Sequence, residues 1–182
     1  MIKKLTVFVL SLALLLGGSA SLFAKTPVAS PVALPSPTPA ANVNSFELFW
    51  PMVAGKTMQS RLYFLKSFKE QMRGVVIFGS SQKANYGIFL SIKRVLEAEV
   101  LMKANLSELT NKTLDKAIAQ LESANSSLTS AKNAGDIEKS TKDEINIRVS
   151  NLKVFVTSLK KDYPSFGDKL QTVLDRLNAL TV

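Results

Sequence analysis

The chain has 182 residues, a formal net charge of +9, and neither cysteine nor histidine. Without cysteine it takes no disulfides, performs no thiolate chemistry and cannot be lipidated behind an apolar leader. Without histidine it lacks the usual neutral-pH proton shuttle and the commonest metal ligand, so zinc sites built from His and Cys are excluded and catalysis is disfavoured.

Residues 1–24 open with Met1-Ile2-Lys3-Lys4, a short positive stretch. An almost unbroken apolar run from Leu5 to Leu16 follows, then the small residues Gly17-Gly18-Ser19-Ala20. This is the layout of an export signal cleaved after Ala20, with Gly18 at the minus-three position; a cut after Ala24 would place Leu22 there and fits less well. The same uncharged stretch, Leu5 to Ala24, is about the length a bilayer core demands, roughly 20 residues, so the alternative is an uncleaved anchor. Either way the expected location is extracytoplasmic. Residues 25–44 carry five prolines among Ala, Ser, Thr and Val. Such a segment builds neither helix nor paired strand and is expected to be a disordered tether.

Residues 45–182 are expected to form one all-α domain, a four- to five-helix bundle with coiled-coil-like seams. Nine of the 14 aromatic residues fall between Phe46 and Phe89, which places the aromatic part of the core near the N-terminus. The first helix is expected from about Ser60 to Phe78. Leu62, Leu65, Phe68, Met72 and Val75 would face the core, beside a basic stripe of Lys66, Lys69 and Arg73. Gly79 ends it, and Ser80-Ser81 offer a cap for the next. The second helix runs to about Ala104 along a seam of Ala84, Ile88, Ile92, Val95, Glu99 and Met102. Asn105 and Ser107 suit helix termini. The third, Ser107 to Asn133, carries a heptad stripe of Leu114, Ala117, Leu121, Ala124, Leu128 and Ala131, whose alanines permit close approach. Gly135 breaks it, and Asp136 can cap a fourth helix with Ile145, Val149, Leu152, Val156 and Leu159 inward. After Tyr163-Pro164, a short last helix bears Leu170, Val173, Leu174 and Leu177.

Charge is segregated along this domain. Between Lys56 and Arg94 stand eight basic residues and one acid, Glu70, a net of +7, whereas from Val95 onward 12 bases and 12 acids cancel. The candidate docking residues are therefore Lys66, Lys69, Arg73, Lys83, Lys93 and Arg94. They suit an anionic envelope surface, whether lipid headgroups or wall polymers, or a protein partner. Nucleic acid is not expected, since no recognition module is present.

Three short motifs resemble catalytic ones and fail on context. Gly55-Lys56-Thr57 ends like a phosphate loop but has Trp50 where the first glycine belongs, so it reads as a turn. Ser80-Ser81-Gln82-Lys83 lacks the Lys-Thr-Gly strand of penicillin-binding sites. Glu97 and Glu99, two apart on a helix, point away from each other and cannot flank one glycosidic bond. Glu97 is expected to pair with Arg94 or Lys93 instead. Glu99, on the apolar seam, either meets a base from another helix or reaches out to solvent. No catalytic residue, cofactor or metal ligand is assigned.

Leu62-Tyr63-Phe64-Leu65-Lys66, the Lys83-Ala84 step and Lys93-Arg94-Val95-Leu96-Glu97-Ala98 together resemble the bacterial domain of unknown function 5667, over roughly Phe46 to Ala134. Phe49-Trp50-Pro51 and Gly55-Lys56-Thr57 are similar to the leader of some members. The resemblance implies an exported helical domain and supplies no activity. The function expected from these features is a non-enzymatic envelope module that docks on a protein partner or anionic surface. A holding chaperone using Phe64, Phe68 and Met72 is the alternative, and a helical wall hydrolase relying on Glu97 is the more remote one.

Overall fold

The computed structural model describes residues 43–180; the leader at 1–24 and nearly all of the Pro-rich stretch lie outside the described residues. Within them the fold is all-α. The helices are α1 (Ser45–Phe49), α2 (Tyr63–Val76), α3 (Ser80–Lys103), α4 (Ser107–Ala134), α5 (Lys139–Asp162) and α6 (Gly167–Ala179), with a 3-10 turn at Pro164–Phe166 before the last. No described helix is long and apolar enough to cross a membrane.

The core grows from the α4 stripe. Leu114, Ala117, Leu121, Ala124, Leu128 and Ala131 are all buried, as their spacing predicts. They meet Ala84, Ile88, Ile92, Val95 and Met102 of α3, and α5 and α6 close the bundle with Ile145, Leu152, Val156, Leu170, Val173 and Leu177. Small residues let α3 and α4 approach closely. A Cβ placed on Gly87 would lie 3.0 Å from the Ala124 Cβ and 3.2 Å from the Gln120 carbonyl oxygen, so any larger residue would have to push the two helices apart by a few tenths of an ångström. The hairpin between them turns on Asn105, whose φ of 57° lies in the left-handed region that Asn tolerates. Gly135 ends α4 at φ 66°, its N–H bonded back to Lys132.

Several boundaries differ from expectation. Residues 60–62 are turn rather than helix, and α2 stops at Val76. Gly79, not a serine hydroxyl, precedes α3, and Ser81 is buried within its first turn. Helix α5 starts at Lys139 rather than at an Asp136 cap. Helix α1 was not foreseen: the Asn44 side chain accepts from Phe46 N at 3.0 Å and starts it, and Phe49 packs edge-on to Phe155.

The largest correction concerns the aromatic residues and α2. Of the nine between Phe46 and Phe89, only Phe49 and Tyr63 are buried, while Phe46, Trp50, Phe64, Phe68 and Phe78 are exposed. The core aromatics are Phe49, Phe155 and Phe166. Leu62, Leu65, Phe68, Met72 and Val75 point away from the bundle, with Phe68 61% and Val75 75% exposed. Helix α2 is amphipathic as expected, but its polar side faces inward.

Candidate functional site

The reason for that inversion lies on α3. From Leu90 to Met102 eight of its 13 residues are apolar, and Arg94 and Glu97 sit among them, one turn apart and both buried. Ionised groups removed from water demand partners. Arg94 Nη1 bonds Glu97 Oε1 at 2.6 Å, and the remaining partners come from α2. Lys66 Nζ pairs with the same Glu97 oxygen, and Glu70 takes Arg94 through Oε2 and Lys93 through Oε1, the latter at 2.7 Å. Lys66 and Glu70 are four residues apart, one helical turn, so they meet Glu97 and Arg94 together. Turning the apolar side of α2 inward would strand these charges.

Lys66 also holds the preceding loop, donating to the carbonyls of Ala54 at 2.7 Å and Lys56 at 2.8 Å. Gly55, at φ 67°, lets the chain curl around the ammonium. A phosphate loop offers N–H donors to an anion; this loop offers carbonyls to a cation, so the Gly55-Lys56-Thr57 turn has the opposite polarity.

Electrostatics follow from crowding under α2. Burial lowers the Lys66 pKa even though Glu97 opposes it. Burial would raise Glu70, but Lys93 and Arg94 overcome it and hold the carboxyl below its usual range. Burial likewise works against charged Arg94, and Glu97 and Glu70 outweigh it, leaving the guanidinium raised. Tyr63 sits among three cations, its ring centroid 4.9 Å from Lys116 Nζ, 5.5 Å from Arg94 Cζ and 5.9 Å from Lys66 Nζ. Its hydroxyl and Glu97 Oε2 are both buried without a hydrogen bond of good geometry. Burial pushes the phenol up to about 12, with Arg94 opposing and the two glutamates adding to the rise.

Beside this cluster, α2, α3 and α4 line a half-open cavity of about 380 Å³ with Lys83, Arg94 and Lys116 in its walls. The six expected docking residues therefore divide. Lys66, Lys93 and Arg94 are engaged with carboxylates between α2 and α3, and Arg94 is buried; they do not form an exposed patch. Lys69 and Arg73 are exposed along one edge of the outward apolar face of α2, Arg73 lying over the Tyr86 ring at 5.8 Å. Lys83 is exposed at the cavity. Glu99 bonds Lys103 on its own helix at 2.7 Å, and Glu97 is the acid that meets a base from another helix. Glu70 and Tyr63 were missed as site residues. For Glu70 the signal was present: a buried-looking Arg-x-x-Glu pair among apolar residues requires charged partners nearby, and the one helix expected before it carries Lys66 and Glu70.

A family model for a domain of unknown function, DUF5667, matches residues 56–153, more than half of the chain. The chain belongs to this family. The DUF5667 region takes in α2, α3, α4 and α5 as far as Lys153, and so contains every member of the charged cluster and every wall of the cavity. It begins after Phe49-Trp50-Pro51 and continues past Gly135, so its bounds lie further along the chain than the resemblance from Phe46 to Ala134. No curated protein and no solved structure matches the chain.

Proposed function

We propose that this DUF5667 protein is a non-enzymatic, exported envelope module that lies on an anionic membrane surface through α2. The observation that carries the reading is the inverted helix. Phe64, Leu65, Phe68, Met72, Val75 and Val76 project to solvent, and Lys69 and Arg73 run along one edge of them. Apolar side chains bordered by cations are what an interfacial helix presents to anionic lipid. Lys56, Arg61, Lys69, Arg73 and Lys83 form no ion pair among the described residues, and each basic group near such a surface contributes ~1 kcal/mol. The ion pairs beneath α2 fix which side it offers. An export signal or anchor at residues 1–24 would bring the domain to that surface, and the Pro-rich stretch would give it reach.

The absence of cysteine makes a local probe simple. A Phe68→Cys variant of the full chain, labelled with a polarity-sensitive dye, should shift to the blue with phosphatidylglycerol vesicles and not with phosphatidylcholine vesicles. The shift should disappear in high salt, and a dye at Thr129→Cys on α4 should stay silent. An unchanged spectrum at Phe68→Cys with anionic vesicles would reject the reading. The exposure of Phe64, Phe68 and Met72 also favours a second function, holding apolar segments of unfolded proteins. Suppression of client aggregation that is insensitive to salt and lost in Phe68→Ser would select it.

A further inference from the structure

The cavity beneath α2 has a composition that the docking reading does not use. On α4, Lys116, Gln120, Ser123 and Ser127 follow a four-three-four rhythm and form one polar row. This row lies beside the buried heptad stripe, so α4 shows an apolar side to the core and a polar side to the cavity. The serines are too short to fill the space between helices, and Gly74 of α2 and Gly87 of α3 leave further room. Two cations here have no carboxylate partner among the described residues. Neither Lys83 nor Lys116 forms an ion pair, and Lys116 lies over the Tyr63 ring. The single wall carboxylate, Glu70, is already held by Lys93 and Arg94. The walls are therefore cationic and carry hydroxyl and amide groups, with polar and apolar surface in near-equal measure.

We infer that this cavity binds a small polyhydroxylated anion of the class of sugar acids and sugar phosphates. Lys83 and Lys116 would neutralise the anionic group, and Gln120, Ser123 and Ser127 would bond the hydroxyls. The volume, about 380 Å³, lies near the lower end of small-molecule pockets, which suits one sugar unit. The proposal shares Lys83 with membrane docking but does not rest on it, because no residue of the outward apolar face lines the cavity.

The test is calorimetric titration of the full-length chain at fixed ionic strength with glucuronate, glucose 6-phosphate, glucose and inorganic phosphate. At least one anionic sugar should bind, at least tenfold more tightly than both glucose and inorganic phosphate. Lys116→Gln and Lys83→Gln should each weaken it about tenfold, and Ser127→Leu, which fills the cavity, should abolish it. Unfolding curves show whether each variant is folded; Lys83 is exposed, so its variant keeps the test decisive if Lys116→Gln does not fold. Binding by neither anionic sugar, equal binding of glucose or of phosphate, or affinity unchanged in folded Lys83→Gln and Ser127→Leu would overturn the inference.

Discussion

Helix α3 is bordered by two seams built on opposite principles. Toward α4 it packs Ala84, Ile88, Ile92 and Val95 against a heptad stripe, and nothing charged intervenes. Toward α2 it offers Lys93, Arg94 and Glu97, and α2 answers with Glu70 and Lys66. The first seam gains from removing apolar surface from water. The second gains little net stability, because desolvation of buried ions offsets much of their attraction, but it fixes one rotation of α2. The comparison teaches that an amphipathic helix buries whichever side its neighbour can satisfy, and that the remaining side becomes available for another partner.

The strongest way to probe the contrast is to cut the apolar seam. Leu121→Ala, at a fully buried position, should lower unfolding free energy by about 2 to 5 kcal/mol in urea denaturation. Glu97→Gln should cost about 3 kcal/mol by leaving Lys66 and Arg94 short of a counter-charge, and the double variant Lys66→Met with Glu97→Leu should recover part of it. Failure of the double variant to recover would mean that the charges stabilise the seam outright. Gly87→Ala should cost about 1 to 3 kcal/mol, read from the same curves, since its methyl group meets Ala124 and backbone at the closest crossing of α3 and α4.

Acid should separate the seams without mutation. The Glu70 carboxyl is held below its ordinary value of 4.5, so the folded state favours its charged form. The stabilisation it gives is complete above the unfolded-state pKa and is lost as pH falls through the lower folded-state value. Amide exchange, corrected for its intrinsic pH dependence, should therefore show α2 losing protection in that acid window while α4 amides near Leu121 and Leu128 stay protected. The smallest effect is expected on the outward side: Phe68→Ser should change stability by no more than about 0.5 kcal/mol, yet remove the vesicle response. A large destabilisation there would mean that Phe68 packs inward after all.

The bundle itself was legible because its signals are periodic. The α4 stripe, the inward residues of α5 and the breaks at Gly135 and Pro164 all appear where spacing and backbone chemistry put them. The orientation of α2 was not legible from its own pattern, since periodicity reveals two sides of a helix but not which one meets the bundle. That information resides in α3, in charges that interrupt an apolar run. The same blind spot made six basic residues look like one patch. Periodicity placed Lys66, Lys69 and Arg73 correctly beside the apolar stripe, but the carboxylates that engage Lys66, Lys93 and Arg94 become visible only when two helices are brought together. Tyr63 offered no pattern at all, because its role comes from three cations converging from α2, α3 and α4.

The sharing of a single Glu97 oxygen by Lys66 and Arg94 has a consequence for how such sequences diverge. Loss of Glu70 or Glu97 leaves three cations, Lys66 and Arg94 among them, facing one carboxylate in the interior, so tolerated changes among Lys66, Glu70, Arg94 and Glu97 that remove a carboxylate should arise with a matching change at a cation. The outward positions obey a looser constraint: Leu, Phe, Met and Val can replace one another there without disturbing a neighbour. Among descendants of one ancestor, the four charges should drift in concert, while the exposed side keeps its oiliness and loses its spelling.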